Sequence, residues 1–225
     1  MHFTLYYSNV CPGARACRIM MKHLDCEFNE QSVDLMKKEQ MSKEYLEMNP
    51  DHCVPTLKVS NPRVEKDWHL WESRCVLKYL CEVSGGDEFL GEDIKQQMLV
   101  DRWLYWDLGT FYPKMGAVFY PKILRKEEPK QEDVDTLNAK LEYLDKYLGE
   151  GITEDCEDIL FLAGENVSVA DLSLAMLIEQ ARMVVDTSDY VHIENWMDAV
   201  GEEFGDSYEE VMDDLKEVKK KFVGE

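Results

Sequence analysis

A change of periodicity at Ser84-Gly85-Gly86-Asp87 constrains this chain more than any other feature. Before that glycine break, short strand and helix signals alternate; after it, the pattern is helical to the last residue. Residues 3–7 read as a short buried strand that ends at Ser8-Asn9. Residues 15–24 read as a helix, with Ala16, Ile19, Met20 and Leu24 at roughly helical spacing. Residues 27–34 look extended. Residues 43–48 read as a short amphipathic helix stopped by Asn49-Pro50, because the residue before a proline avoids the α region. Residues 56–59 and 68–70 read as strands flanking an Asn61-Pro62 turn, and residues 72–83 as a closing helix.

Beyond the break, Val134, Leu137, Leu141, Leu144 and Leu148 make one apolar stripe at alternating three- and four-residue spacing. Ser168-Val169-Ala170-Asp171 reads as a capping box with Asp in place of the commoner Glu, and Val167 and Leu172 are placed as a hydrophobic staple. From Leu172 to Ile178 the sequence is apolar nearly all round, which predicts a helix running through a core. Residues 126–135 and 149–158 read as charged connections. The expected architecture is an α/β thioredoxin-like domain, β-α-β then β-β-α, over residues 1–83, followed by an all-α domain over residues 88–225.

Composition narrows the partners. Acidic residues number 46 against 25 basic, a net charge of −21 that repels nucleic-acid phosphates and anionic lipid surfaces, so neither is expected as a partner. A hydrophobic content of 45%, with five Trp and eleven Tyr, argues for a packed protein and against disorder. The seven cysteines are an odd number and show no CxxC or CxxH spacing, which reads as reduced thiols in a cytosol-like compartment and no metal site. The opening MHFTLYYSNV has neither a basic region nor a long apolar stretch, and no run approaches the ~20 residues of a membrane span. A cytoplasmic protein is expected.

Four local features carry chemistry. Cys11, followed by Pro12 and near Arg15, stands at the start of a helix, where unpaired N–H groups and the positive dipole end favour a thiolate; the alternative is a small buried loop residue. Val54-Pro55 opens a strand, which is usually an edge or turn device. In a thioredoxin-like layout a cis proline there frees the backbone of Val54 to pair with an extended peptide. Glu72, Ser73 and Arg74 enter a helix: its N–H groups and the Ser hydroxyl suit a carboxylate, and the Glu suits an ammonium group. A plain helix start explains the same residues. Gln40 and His52 are donors for a second carboxylate. Jointly, the four describe a tripeptide site: an amino-acid end, a backbone-paired middle, a carboxylate end, and a sulfur beside Cys11.

These stretches resemble the cytosolic glutathione transferases along nearly the whole chain, and most closely the arthropod-type delta and epsilon classes. The resemblance rests on residues 49–57 (NPDHCVPTL), 70–74 (LWESR) through Tyr79-Leu80, 102–112 (RWLYWDLGTFY) and 168–171 (SVAD). It implies a homodimer with glutathione as cosubstrate and a small hydrophobic electrophile as partner. It also implies that Gln40 and His52 hold the glycine end, that Val54, ahead of Pro55, pairs with the cysteinyl backbone, and that Glu72 and Ser73, with Arg74 nearby, hold the γ-glutamyl end. One departure stands out: those classes place a Ser hydroxyl where gapless matching puts Cys11, while Ser8 lies three residues earlier. A thiol is a weaker donor than a hydroxyl, and a Cys followed by Pro is similar to omega-class transferases. The leading expectation is conjugation of glutathione to hydrophobic electrophiles, with Cys11 or Ser8 at the sulfur. The alternatives are an omega-type thiol transferase or dehydroascorbate reductase using Cys11, and a non-catalytic ligand-binding or structural member. Phe111, Met115 and Phe119, beside Tyr105 and Tyr112, are expected either to wall an apolar pocket or to pack in a core; Phe204 and Tyr208 are the candidates for a lid.

Overall fold

The computed structural model describes residues 1–61, 63, 67–150 and 161–222. Pro62 of the expected turn, residues 151–158 of the second expected connection, and Cys156 lie outside the described residues. The chain forms two compact units, Met1–Gly86 with Asp206–Leu215, and Asp87–Gly205 with Lys216–Glu225. The segment 206–215, which the sequence groups with the helical stretch, thus belongs with the first unit.

The first unit holds strands β1 (His2–Tyr7), β2 (Phe28–Ser32), β3 (Thr56–Ser60) and β4 (Trp68–Trp71) in the order β2-β1-β3-β4. β1 pairs parallel to β2; β1–β3 and β3–β4 are antiparallel. Phe3 and Leu5 alternate into the core and face Val59 and Leu57 across the ladder, the two-residue period of a half-buried strand. Helices α1 (Pro12–His23) and α3 (Ser73–Ser84) pack together, with Ala16, Ile19 and Met20 of one and Val76, Leu77 and Leu80 of the other fully buried. Between them in sequence comes the short α2 (Lys43–Met48), capped by Ser42, whose Oγ accepts the Tyr45 N–H at 3.2 Å. α1 starts three residues before the expected Arg15. Cys11 keeps an extended backbone as N-cap, and Pro12 fits the first turn, where its missing N–H costs no bond.

Segment Asp206–Leu215 completes this unit. Val211 and Leu215 are buried, at 0% and 1% exposure, and the acids beside them reach α1: Glu210 lies 3.0 Å from Lys22 and Asp214 2.8 Å from Arg18. Arg18 is itself buried. It also pairs with Glu30 at 2.9 Å, donates to Asn9 Oδ1 at 2.7 Å and stacks over the Tyr7 ring at 4.4 Å. A buried guanidinium needs such a full set of partners, because desolvation otherwise exceeds the Coulomb gain.

The second unit is helical: α4 (Ile94–Trp106), α5 (Tyr112–Phe119), α6 (Gln131–Glu150), α7 (Val169–Ala181) and the start of α8 (Val191–Phe222). π-helical turns at Asp107–Phe111 and Tyr120–Arg125 flank α5, and α8 is broken by Gly205, at φ +48° and ψ −131°. All thirteen residues of α7 are buried, as its all-round apolar sequence requires. Its capping box is formed: Ser168 Oγ accepts the Ala170 N–H at 3.2 Å, and Asp171 Oδ2 accepts the Ser168 N–H at 2.9 Å. Residues 131–135, expected as a connection, are the first turn of α6, where Glu132 and Asp133 meet the positive dipole end. No described helix is long and apolar enough to cross a membrane.

Burial decides two open readings about the electrophile side. Phe111, Met115 and Phe119 are at most 1% exposed, so they fill the core of the helical unit and do not wall a solvent-reached pocket. The four-residue period that marked them marks a buried face just as well. Phe204 is no lid either: it is buried and stacks on Phe89 at 5.6 Å.

Candidate functional site

The site is built where three chain segments of the first unit meet: the start of α1, the loop before β3, and the start of α3. At α1, the Cys11 N–H donates to Ser8 O at 2.9 Å, closing the turn that follows β1. The Cys11 thiol donates across to Val54 O at 3.2 Å. Burial pushes this thiol above its ordinary value, although the Ala14 and Gly13 N–H groups and the charges of Arg15 and Arg74 pull the other way. Cys11 is therefore a neutral thiol at pH 7, engaged on a carbonyl. Ser8 enters the arrangement through its carbonyl.

Glycine at position 13 is what lets the segments approach. A Cβ there would lie 2.5 Å from Ser73 Oγ and 3.8 Å from Pro55 Cδ. At the head of α3, Ser73 is buried, and its Oγ accepts from Arg74 Nη1 at 3.0 Å. Glu72, the N-cap, is exposed and holds φ +67° and ψ +101°, a conformation costly for a residue with a Cβ.

The intervening loop is fixed by buried side chains. Asn49 and Thr56 are fully buried and Tyr45 nearly so. All three donate to the Cys53 carbonyl: Tyr45 Oη at 2.7 Å, Asn49 Nδ2 at 3.1 Å and Thr56 Oγ1 at 3.2 Å. Asn49 Nδ2 also reaches Thr56 Oγ1 at 2.8 Å, and Asn49 O accepts the N–H of His52, an exposed residue at φ +45°. Trp71 Nε1 donates to Asp51 Oδ2 at 2.8 Å, tying the loop to β4. The Val54–Pro55 bond is cis. Among the described residues the Val54 N–H has no partner, although Val54 is buried.

The structure thus brings Cys11, Val54, Pro55, Ser73 and Arg74 together, with Glu72 and His52 on the exposed rim. Gln40 stands on its own short 3₁₀ turn, Glu39–Met41, and its buried Oε1 has no partner among the described residues. Tyr105, Phe111, Met115 and Phe119 belong to the other unit, and Tyr105 is 74% exposed on α4. The six described cysteines are free, and among the described residues no cluster of His, Cys, Asp or Glu is arranged for a metal ion. Nothing in the sequence alone points to Tyr45, Asn49 or Thr56 as part of the site. Their one signal is the pairing of a polar residue with Pro50 at a helix end, which reads there only as a stop.

The arrangement offers a peptide-like ligand an unpaired N–H, a helix N-terminus and a carboxylate within one unit. Known proteins resemble the chain over most of its length. Residues 1–82 match the family described as glutathione S-transferase, N-terminal domain, and residues 111–203 its C-terminal domain. Glutathione S-transferase D6 of Drosophila melanogaster is 30% identical over 194 residues, 85% of this chain and 84% of that one. The solved structure of the Bombyx mori transferase BmGSTD1 superposes with a TM-score of 0.78 at 29% identity, covering 91% of this chain and 89% of that one. A delta-class transferase of Nilaparvata lugens gives 0.77 at 26% identity, covering 93% and 99%.

Proposed function

We propose, for a chain that belongs to the glutathione S-transferase family, how its own residues carry out the transfer of an electrophilic group to the sulfur of glutathione. The kinship is with the delta class, which does not favour an omega-type thiol transferase. Glutathione is assigned to residues 1–83 and the electrophile, a small hydrophobic molecule, to residues 88–225. Val54, ahead of Pro55, pairs with the cysteinyl backbone through its partnerless N–H, the single observation that carries this reading. Ser73 and the α3 N-terminus, with Arg74 beside them, take the γ-glutamyl carboxylate, and Glu72 takes its ammonium group. Gln40 and His52 take the glycine carboxylate.

The reaction needs the glutathione thiol to lose its proton to solvent; the thiolate then forms a C–S bond as the bond from that carbon to its leaving group, chloride in a chloronitrobenzene, breaks. The first turn of α1 is the source of that stabilisation, since the N–H groups of Gly13 and Ala14 and the charges of Arg15 and Arg74 already act on the Cys11 sulfur. Cys11, neutral and bonded to Val54 O, marks the place of the glutathione sulfur and is no nucleophile. Ser8 is the second candidate donor to that sulfur. We further read the protein as a cytoplasmic, detoxifying homodimer. Support for the dimer comes from α4, where Ile94, Met98 and Tyr105 are 70%, 53% and 74% exposed along one face.

The test is turnover of a chloronitrobenzene with glutathione by wild type and Cys11→Ser, with intact-mass analysis after exposure to oxidised glutathione. Conjugation by both proteins, equal or faster in the variant, and no adduct at Cys11 are expected. A single glutathione adduct that vanishes in Cys11→Ser, with little conjugation, overturns the assignment.

A further inference from the structure

We propose that Tyr45 is a positioning residue for glutathione: its buried hydroxyl fixes the Cys53 carbonyl and so aims the Val54 N–H at the tripeptide. The proposal rests on the assignment of glutathione to Val54 made above. The Cys53 C=O and the Val54 N–H belong to one planar peptide group and point in opposite directions across it, so orienting one orients the other. Of the three donors on that carbonyl, Tyr45 Oη makes the shortest bond, 2.7 Å against 3.1 Å and 3.2 Å. It is also the one that comes from α2, since Asn49 and Thr56 flank the loop they hold.

The ring is itself anchored. Tyr45 is 4% exposed, packs edge-on against Tyr6 with centroids 5.9 Å apart, and shares a buried cluster with Val33 and Val54. Its hydroxyl also lies 2.9 Å from Thr56 Oγ1, so the donors form a closed set about one oxygen. Burial holds the phenol at about 12, which keeps it protonated, and a donor, at neutral pH. On the far side of Val54 the Cys11 thiol holds the next carbonyl. The peptide presented to glutathione is thus gripped on both flanks, and only its own N–H is left to the ligand.

The same tyrosine in a purely structural role would fill space with its ring and leave the ligand indifferent to its hydroxyl. Tyr45→Phe separates the two, because it keeps the ring and deletes one donor. In the full chain, calorimetric binding of glutathione and steady-state kinetics should show the Kd and KM for glutathione rising roughly three- to tenfold, the worth of one hydrogen bond. The KM for the electrophile and kcat at saturating glutathione should stay within about twofold. Thr56→Val removes a second donor to the same oxygen and should shift glutathione affinity in the same direction, which keeps the test open if Tyr45→Phe does not fold. Unchanged glutathione affinity in the folded variants, with or without a lower Tm, overturns the proposal and leaves the glutathione assignment standing. A wild-type chain that fails to bind glutathione at all overturns both.

Discussion

The buried carboxylate of Asp171 gives the sharpest stability prediction. Its Oδ1 accepts the Leu162 N–H at 2.8 Å and Trp196 Nε1–H at 2.9 Å; its Oδ2 accepts the Ser168 N–H at 2.9 Å and the Ser168 hydroxyl at 2.6 Å. Leu162, Ser168 and Trp196 are all at most 3% exposed. Asp171→Ala frees the Ser168 hydroxyl to rotate but leaves three N–H donors buried and unpaired, each costing about 1–3 kcal/mol. Relief of the carboxylate's own desolvation offsets part of this, so a net loss of about 3–5 kcal/mol is expected, against about 5–15 kcal/mol for a whole domain. Ser168→Ala, which removes only the cap hydroxyl, should cost about 1 kcal/mol. Urea unfolding followed by tryptophan fluorescence measures both, and Trp196 reports from within the cluster. A loss below about 1 kcal/mol for Asp171→Ala, or a loss no larger than that of Ser168→Ala, would refute the idea that this carboxylate joins three chain segments.

Three further outcomes are expected. Gly13→Ala, ordinarily favourable in a helix, should destabilise by about 1–3 kcal/mol and raise the KM for glutathione, because its Cβ would lie 2.5 Å from Ser73 Oγ; thermal melting with kinetics checks both. Glu72→Gly relieves the φ of +67° and should be about 1 kcal/mol more stable than Glu72→Ala, while both variants lose glutathione affinity in a binding titration. Native alkylation read by mass spectrometry should label exposed Cys75 first and buried Cys17 and Cys81 last. Cys11 should stay slow at pH 7. Its folded pKa lies above the unfolded one, about 8.5, so the stability from its neutral thiol is complete below that value and is lost as pH rises through the folded pKa.

Much of both units could be read from residues where the signals are local. Phe3 and Leu5 alternate, Asn49-Pro50 stops a helix, and Ser168 to Asp171 spells out a cap whose partners are three residues apart. The π-helical turns at Asp107–Phe111 and Tyr120–Arg125 have no such code, since no residue type at a fixed spacing marks a single i→i+5 turn within a helical run. Phe111, Met115 and Phe119 were ambiguous for a related reason: period alone cannot say whether a helix face meets a ligand or a neighbouring helix. In the site, Cys11, Val54 and Ser73 could be picked out by type and spacing. Tyr45 could not, because its hydroxyl acts on an oxygen eight residues away, and only the folded loop brings the two within 2.7 Å.

The first unit is not one stretch of chain. Its Arg18 finds Asp214, and Val211 and Leu215 fill its surface, yet these residues lie beyond the broken helix at Gly205. Synthesis delivers a protein from its first residue onward, and domains ordinarily fold as they emerge. Here residues 1–86 emerge without Val211 and Leu215 to pack with and with Arg18 short of one counter-charge, Asp214, until residues 206–215 are made. A ribosome stalled or terminated before position 206 would release a nascent protein in which neither unit is whole.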